Sequence, residues 1–453
     1  MKSLVTEHDH IALKIGPKKC HIITFGCQMN EYDSQTMAQL LKDEYQPTAF
    51  MEEADLIIIN TCSIRQKAEH KLYSLLGRLK RLKKKRPNLK IGVAGCVAQQ
   101  IGEKLFEKMP HVDFVIGPQG LYKLPQLIKL LEGGLKHLSE TNLASDFKIP
   151  FVNAPLPKKG QIRGFVTIMQ GCDNFCTYCI VPYVRGRETS RPSTDILKEI
   201  ESLVKQGVKD ITLLGQNVNS YGKKGPHKDI SFPELLTLID KNFGEEIRLR
   251  FTTSHPKDLS EELIDCFGSL RSLCEHLHLP VQSGSNKILK AMNRHYKIED
   301  YLSKVNKLKK ICPDITITTD LIVGFPGESH EDFLKTLELL KAVRFDQAFA
   351  FKYSERPGTA AEDFKDKVSE EVKSERLTKL LELQNQIGLE QYKKMEAKTV
   401  EVLIESHQDK KLVGRTRGNH IVNLIGDEEL VGRLLNVYIE RACHHSLNGI
   451  IVH

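Results

Sequence analysis

Short, β-branched apolar runs alternate with stretches of helical period along most of this chain, and the alternation breaks twice. In the first third the runs His21–Phe25, Leu56–Ile59, Ile91–Ala94 and Val112–Ile116 are nearly continuous, as strands buried on both faces are. Helical patterns lie between them at Tyr32–Glu44 and Ala68–Arg86, the latter with Leu72, Leu75, Leu76, Leu79 and Leu82 on one stripe. Such an order forms a parallel α/β sheet, because parallel neighbours require a crossover. Residues 17–134 are expected to form this domain, and the interval 135–157, a polar stretch followed by Pro150, Pro155 and Pro157, to be a linker.

A second alternation fills 158–388. Strands are predicted at Gly164–Met169, Asp210–Leu214, Arg248–Thr252, His276–Leu279, Ile315–Val323 and Asp346–Phe351, with helices between them. Six βα units without a seventh or eighth predict an open partial barrel. A long charged helix over 366–395 leads out of it. From 391 to 453 the helical period is gone. Five short strands, Thr399–Ile404, Lys411–Thr416, His420–Leu424, Asn436–Ile439 and Gly449–Val452, predict a small antiparallel β-barrel of a kind that often binds oligonucleotides. The fold class is therefore α/β, with a C-terminal all-β module.

Composition narrows the setting. The chain has 453 residues, 40% hydrophobic and 27% charged, which excludes global disorder. No stretch reaches the ~18 apolar residues of a membrane span, so no membrane partner is expected. The first ten residues carry Glu7 and Asp9 and no apolar run, which gives no export signal. Eleven cysteines, an odd number over a long chain, do not suit a secreted disulfide framework. A reducing, cytoplasmic setting is expected, with cysteines kept for metal or catalysis. The net charge of +8 is local. Residues 1–150 hold 22 Lys+Arg against 16 Asp+Glu, and the run Arg78, Lys80, Arg81, Lys83, Lys84, Lys85 and Arg86 accounts for that excess. The run reads either as a solvated helix face or as a phosphate-tracking patch.

Two sets of cysteines stand out. Cys172, Cys176 and Cys179 lie in Gly171-Cys172-Asp173-Asn174-Phe175-Cys176-Thr177-Tyr178-Cys179, directly after a strand, at the end of the barrel where such folds place chemistry. Three thiolates at this spacing can hold three irons of a [4Fe–4S] cubane and leave the fourth open to a substrate. A zinc site is the other reading of the same spacing. Cys27, Cys62 and Cys96 are too far apart for a local motif, but each follows a predicted strand by one to three residues. One βα unit between successive members places them at the carboxyl edge of one parallel sheet, where ligands bind. A second three-cysteine cluster is the preferred reading; three buried core cysteines are the other. Cys20, Cys266, Cys274, Cys312 and Cys443 have no metal spacing and read as small core residues.

The loop Cys172–Cys179, with Tyr178 before its last cysteine, resembles the radical S-adenosylmethionine (SAM) superfamily. Together with the strand-end cysteines it resembles the methylthiotransferases within it, from about Lys19 to the C-terminus. The stretches that carry the resemblance are Thr24–Asn30, Asn60–Arg65, Gly95–Gln100, Leu214–Gly222, Thr252–Pro256, Leu279–Ser285 and Gly324–Glu328. Gly414-Arg415-Thr416 is similar to the TRAM domain, an RNA-binding barrel. Ser63-Ile64-Arg65 is similar to the subgroup acting on dimethylallyladenosine in tRNA rather than to those acting on threonylcarbamoyladenosine or a ribosomal-protein aspartate. Gln170 departs from the Glu common at that place in the family and puts the details of redox tuning in doubt.

The resemblance implies two [4Fe–4S] clusters, on Cys172/Cys176/Cys179 and on Cys27/Cys62/Cys96. It implies SAM in two roles, as radical source and as methyl donor, and methylthiolation at C2 of a prenylated adenosine beside the anticodon. That carbon carries no acidic proton, so side-chain acid–base chemistry cannot activate it, and no catalytic acid or base is expected. By the same resemblance Tyr178, Gly215, Gln216, Asn217, Ser254, Gln282, Ser283, Ile322 and Gly324 would surround SAM. Arg65 is expected to read the RNA, and Arg415 and Arg417 to contact it, since the C-terminal module has nearly balanced charge. A flavodoxin- or ferredoxin-like electron donor and a monomeric state are also expected. His255 reads as a satisfied loop histidine. A non-catalytic Fe–S protein that binds RNA is the reading from a different class.

Overall fold

The computed structural model describes residues 17–63, 66–153, 160–223 and 230–452, which fall into two units. The first comprises residues up to Gly26 together with Asp33–Thr141; the second comprises Cys27–Tyr32 and everything from Asn142 onward.

The first unit is a six-stranded, all-parallel sheet. Its strands are β1 (Lys18–Phe25), β2 (Tyr45–Pro47), β3 (Leu56–Thr61), β4 (Lys90–Ala94), β5 (Phe114–Ile116) and β6 (Leu138–Glu140), in the order β2-β1-β3-β4-β5-β6. β3 is buried along its whole length. Ile57 and Ile59 join Leu72, Leu76 and Val93 in one core, while Leu56 and Ile58 join Met37, Phe114 and Leu124 in another. Alternation along a strand thus feeds two cores, as expected when helices cover both faces. The edge strands β2 and β6 differ from the sequence expectation. Each is three residues long and lacks an apolar run, and β2 ends on Pro47, which an edge tolerates. β6 also takes three residues from the interval expected to be linker.

In the second unit, β7 (Arg163–Thr167) gives way at Ile168 to β8 (Met169–Gln170), which pairs antiparallel with β9 (Thr189–Ser190). The single strand expected over Gly164–Met169 is therefore two short ones. The remaining strands of this layer are β10 (Asp210–Leu214), β11 (Arg248–Phe251), β12 (His276–His278), β13 (Thr316–Val323) and β14 (Gln347–Lys352). All run parallel, as β7-β10-β11 and β12-β13-β14, with a parallel bridge between Leu249 and Leu273 joining the two halves. Among the described residues β7 and β14 have one neighbour each, so six βα units form an open layer as the pattern predicts. The helix Glu370–Lys393 follows, with Leu380 and Ile387 in the layer's core.

β15 (Thr399–Gln408), β16 (Lys411–Thr416), β17 (Ile421–Ile425), β18 (Leu434–Ala442) and β19 (Leu447–Ile451) close into a barrel in the order β15-β16-β17-β19-β18. Val402, Ile404, Leu412, Val422, Val437 and Ile439 fill it. Arg248 and Arg250, two residues apart on β11, hold the barrel to the layer. Arg248 donates to the Arg415 carbonyl and Glu401 at 2.7 Å, and Arg250 donates to the Thr416 and Arg417 carbonyls at 2.8 and 2.7 Å.

The two arginines expected to contact RNA lie at this seam. Arg415 pairs with Glu405 at 3.2 Å, and Arg417 Nε is shared between the two carboxylate oxygens of Glu275 at 2.8 and 3.0 Å. Their side chains are 20% and 28% exposed.

Candidate metal centre

The loop 171–188 is pinned at its base by the β8/β9 ladder. Gly171 is left-handed, at φ +79°, and a Cβ there would sit 2.1 Å from the Arg187 carbonyl oxygen, so only glycine fits. Its N–H donates to Gln216 Oε1 at 2.6 Å. Asp173 accepts from Arg187 Nε at 2.8 Å and from the Glu188 N–H at 3.1 Å. Further along, Thr177 donates from its N–H to Met292 O at 3.1 Å and from its hydroxyl to Ala291 O at 2.9 Å. The cysteines therefore sit on a braced loop.

Cys172 and Cys176 are buried and Cys179 is half-buried. Burial pushes the Cys172 thiol up to about 11, against lowering by the Asn174 backbone N–H, and burial with the neighbouring Cys176 pushes the Cys179 thiol up to about 12. Bound cations would favour the thiolate forms, and a three-cysteine donor set suits iron. Among the described residues no three His, Cys, Asp or Glu side chains converge on one ion position.

Gly171→Ala is expected to strain this loop by ~1–2 kcal/mol from the left-handed backbone alone, with the carbonyl clash added. After anaerobic reconstitution, iron per chain should fall from about eight toward about four while far-ultraviolet circular dichroism stays unchanged.

Around the loop, the strand ends carry buried polar atoms that lack partners. Asn217 Oδ1, Ser254 Oγ, Gln282 Oε1 and His255 Nε2 are all in this condition. A buried polar group without a hydrogen bond costs on the order of 1–3 kcal/mol, so four at one end of one layer mark a ligand's place. Thr253 and Gln282 are also left-handed, at φ 70° and 72°. For a β-branched threonine that is a clear outlier, and strain of this kind gathers at binding sites.

The other SAM candidates divide by task. Gly215 leaves no room for a Cβ, which would lie 2.5 Å from Met169 Cγ. Gln216 braces Gly171, and Ser283 Oγ accepts the Ser285 N–H at 3.2 Å. Tyr178 lies edge-on to Phe325 at 6.4 Å, in an apolar cluster that includes Ile322. The Gly324 N–H donates to Glu328 Oε2 at 2.7 Å, and Glu328 is locked in a buried pair with Arg376 at 2.6 Å.

His255 is not satisfied as expected. Its Nδ1 accepts the Lys257 N–H at 3.2 Å, so the neutral ring carries its proton on Nε2, which is buried with no acceptor. Burial above all, and then Arg294 and Lys257, hold its pKa far below the usual histidine range. Arg294, which the sequence reading missed, is 4% exposed with Nη1 3.7 Å from Cys176 Sγ. Nothing local in the sequence marks it; the contact spans 118 residues.

Of the second set, Cys62 and Cys96 are buried in the first unit. Each lies two residues beyond a member of the β3/β4 pair Asn60–Ala94, which sets both at the sheet's carboxyl edge. Thr61 Oγ1 and Ser63 Oγ, on either side of Cys62, are buried and unpartnered. Cys27 begins the segment Cys27–Tyr32 of the second unit, and its Sγ lies 3.3 Å from Asn30 Oδ1. Arg65 lies outside the described residues. Of the five remaining cysteines four are buried as expected and Cys443 is half-buried.

Comparison with known proteins gives three matches in series: Uncharacterized protein family UPF0004 over residues 19–117, the Radical SAM superfamily over 166–340 and the TRAM domain over 393–452. Among similar proteins, the tRNA-2-methylthio-N(6)-dimethylallyladenosine synthase of Syntrophus aciditrophicus (strain SB) is 52% identical over 96% of this chain and 95% of that one. The protein of the same name from Carboxydothermus hydrogenoformans is 48% identical over 96% and 99%. Among solved structures, the radical S-adenosylmethionine methyltransferase TsrM from Kitasatospora setae has a TM-score of 0.59 at 14% identity, covering 76% of this chain and 77% of that one. The cobalamin-dependent radical enzyme OxsB gives 0.54 at 14% over 82% and 56%. These two likenesses concern the fold.

Proposed function

The chain belongs to the tRNA-2-methylthio-N(6)-dimethylallyladenosine synthases, and from that membership we propose how its own residues serve the reaction. It is a radical SAM methylthiotransferase that converts C2 of N(6)-dimethylallyladenosine in tRNA from C–H to C–S–CH3. The cofactors are SAM and [4Fe–4S] clusters, as family membership implies. The observation that carries the assignment to this chain's residues is the braced loop with Cys172, Cys176 and Cys179 beside four unpartnered buried polar atoms.

In this reading Cys172, Cys176 and Cys179 hold one cluster, and Cys27, Cys62 and Cys96 hold the other. The clusters and SAM, when bound, supply the radical chemistry and the sulfur that no side chain provides. Asn217 Oδ1, Ser254 Oγ, His255 Nε2–H and Gln282 Oε1 offer two acceptors, a hydroxyl and one donor to the polar groups of SAM. Gly215 and Gly324 let the strand ends pack closely against Met169 and Lys373, and Tyr178 and Ile322 would offer an apolar surface to its adenine. Gln216 and Ser283 hold the loops that carry these groups. Thr61 and Ser63 offer their buried hydroxyls on either side of Cys62, and Arg65 reads the RNA.

The electron donor proposed is a low-potential flavodoxin or ferredoxin, and the protein works as a monomer in the cytoplasm. No helix among the described residues is long and apolar enough to cross a membrane. Mass analysis of tRNA nucleosides from a strain lacking this protein tests the assignment. The 2-methylthio group should vanish from dimethylallyladenosine and leave threonylcarbamoyl nucleosides unchanged; the reverse would move the protein to another subgroup.

The basic run supports tRNA as partner. It lies on the helix Gln66–Lys85 and just beyond it. Lys83 is paired with Asp113 and Arg86 with Asp55, but Arg78, Lys80, Arg81, Lys84 and Lys85 are exposed. If this face tracks phosphates, Lys80→Ala/Arg81→Ala/Lys84→Ala should lower the salt slope of tRNA binding by about 2–3, at ~0.7–0.9 per lost contact. An unchanged slope would return the run to a solvated face.

A further inference from the structure

Arg294 is a buried cation without an anion. It is 4% exposed, and no carboxylate among the described residues lies within ion-pair reach of it. Its bonds go to neutral groups: Nη2 donates to the Pro280 carbonyl, Nε donates to Tyr296 OH at 3.3 Å, and the guanidinium lies over the Tyr296 ring at 5.4 Å. The remaining nitrogen, Nη1, points at Cys176 Sγ at 3.7 Å. An arginine cannot shed its charge, and leaving a cation in a protein interior uncompensated costs several kcal/mol. A geometry of this kind persists where an anion completes it.

The backbone around Arg294 is strained to aim it. Asn293 and His295, its two neighbours, are both left-handed, at φ 58° and 56°. The same segment grips the cysteine loop, since Asn293 Nδ2 donates to the Phe175 carbonyl at 3.0 Å and the Asn174 carbonyl at 3.3 Å. Asn and His are among the residues that tolerate this conformation best. The strain sets a guanidinium against one particular sulfur.

We propose that Arg294 is a positioning residue for the cluster held by Cys172, Cys176 and Cys179, donating a charge-assisted N–H···S bond to Cys176 that raises the cluster's reduction potential. The inference rests on the cluster assignment above. The couple concerned takes one electron from a low-potential reductant; no bond is made or broken, and Arg294 keeps its proton throughout. Because reduction adds a negative charge, a fixed cation and a hydrogen bond at a ligand sulfur favour the reduced state. Arg294 would thereby ease the entry of the electron that begins turnover.

The test uses the full chain carrying Cys27→Ala, Cys62→Ala and Cys96→Ala, so that a single cluster titrates. Midpoint potentials are measured by electron paramagnetic resonance, without SAM, for this protein and for its Arg294→Gln and Arg294→Lys derivatives. Arg294→Gln is expected to shift the potential to more negative values, with Arg294→Lys between it and the parent. Loss of iron in Arg294→Gln alone, with Arg294→Lys loaded and close to the parent, also supports the proposal, because lysine keeps the charge. Equal potentials in parent and Arg294→Gln overturn it. So does loss of iron in both derivatives, which would make Arg294 a loop anchor, and so does weakened SAM binding at unchanged potential, which would make SAM its anion. A parent that takes up no iron would instead defeat the cluster assignment itself.

Discussion

Replacing Cys172, Cys176 and Cys179 by alanine is expected to abolish reductive cleavage of SAM and to take bound iron from about eight atoms per chain to about four. The expectation follows from the proposed assignment of the two cysteine sets to two clusters. The loop set sits in the second unit, on a segment held by Gln216, Met292 and Ala291, while Cys62 and Cys96 end strands of the first. The reciprocal variant, Cys27→Ala/Cys62→Ala/Cys96→Ala, should also retain about four irons. It should still form 5′-deoxyadenosine from SAM with a chemical reductant, yet add no methylthio group to tRNA. Iron analysis and chromatography of the nucleoside products distinguish the two. If the loop variant kept all its iron, or the strand-end variant lost none, the two-cluster assignment would fail.

Asp210→Ala is expected to cost about 3–5 kcal/mol of stability in the second unit, the penalty for leaving a buried charge without its partner. Asp210 Oδ2 accepts from Arg250 Nε at 2.8 Å, and the side chains are 1% and 3% exposed. Arg250 spends its other nitrogens on the Thr416 and Arg417 carbonyls, so the pair also fixes the barrel to the layer. Proteolysis within 391–398, where the chain passes from helix to barrel, should become faster in the variant. Asp210→Asn, which keeps an acceptor but not the charge, should recover part of the loss. Denaturant unfolding that placed Asp210→Ala within about 0.5 kcal/mol of the parent would show the seam to be held by other contacts.

Where the sequence reading succeeded and where it failed has a common cause. Cys172, Cys176 and Cys179 stand out in the sequence because their spacing is local, within one loop of eight residues. The apolar strands β3 and β4 were legible because burial on both faces leaves a continuous run. β2 and β6 were not, because a three-residue edge strand is defined by its neighbour's hydrogen bonds and not by its own side chains. The carboxylates beside Arg415 and Arg417 were not legible, because composition reports a charge and says nothing of what faces it; Glu405 and Glu275 do.

The sequence by itself therefore determined the class of each module and the family to which the chain belongs, and it singled out the six cysteines proposed as ligands. Periodicity and ligand spacing are properties of neighbours along the chain, and they survive without a fold. Only the tertiary structure decided which polar groups are left without partners. It turned Arg415 and Arg417 inward onto carboxylates, exposed the missing acceptor of His255, and set Arg294 beside Cys176 across 118 residues. Those outcomes depend on burial, which makes an unpaired charge or donor costly, and burial exists only once distant segments have packed.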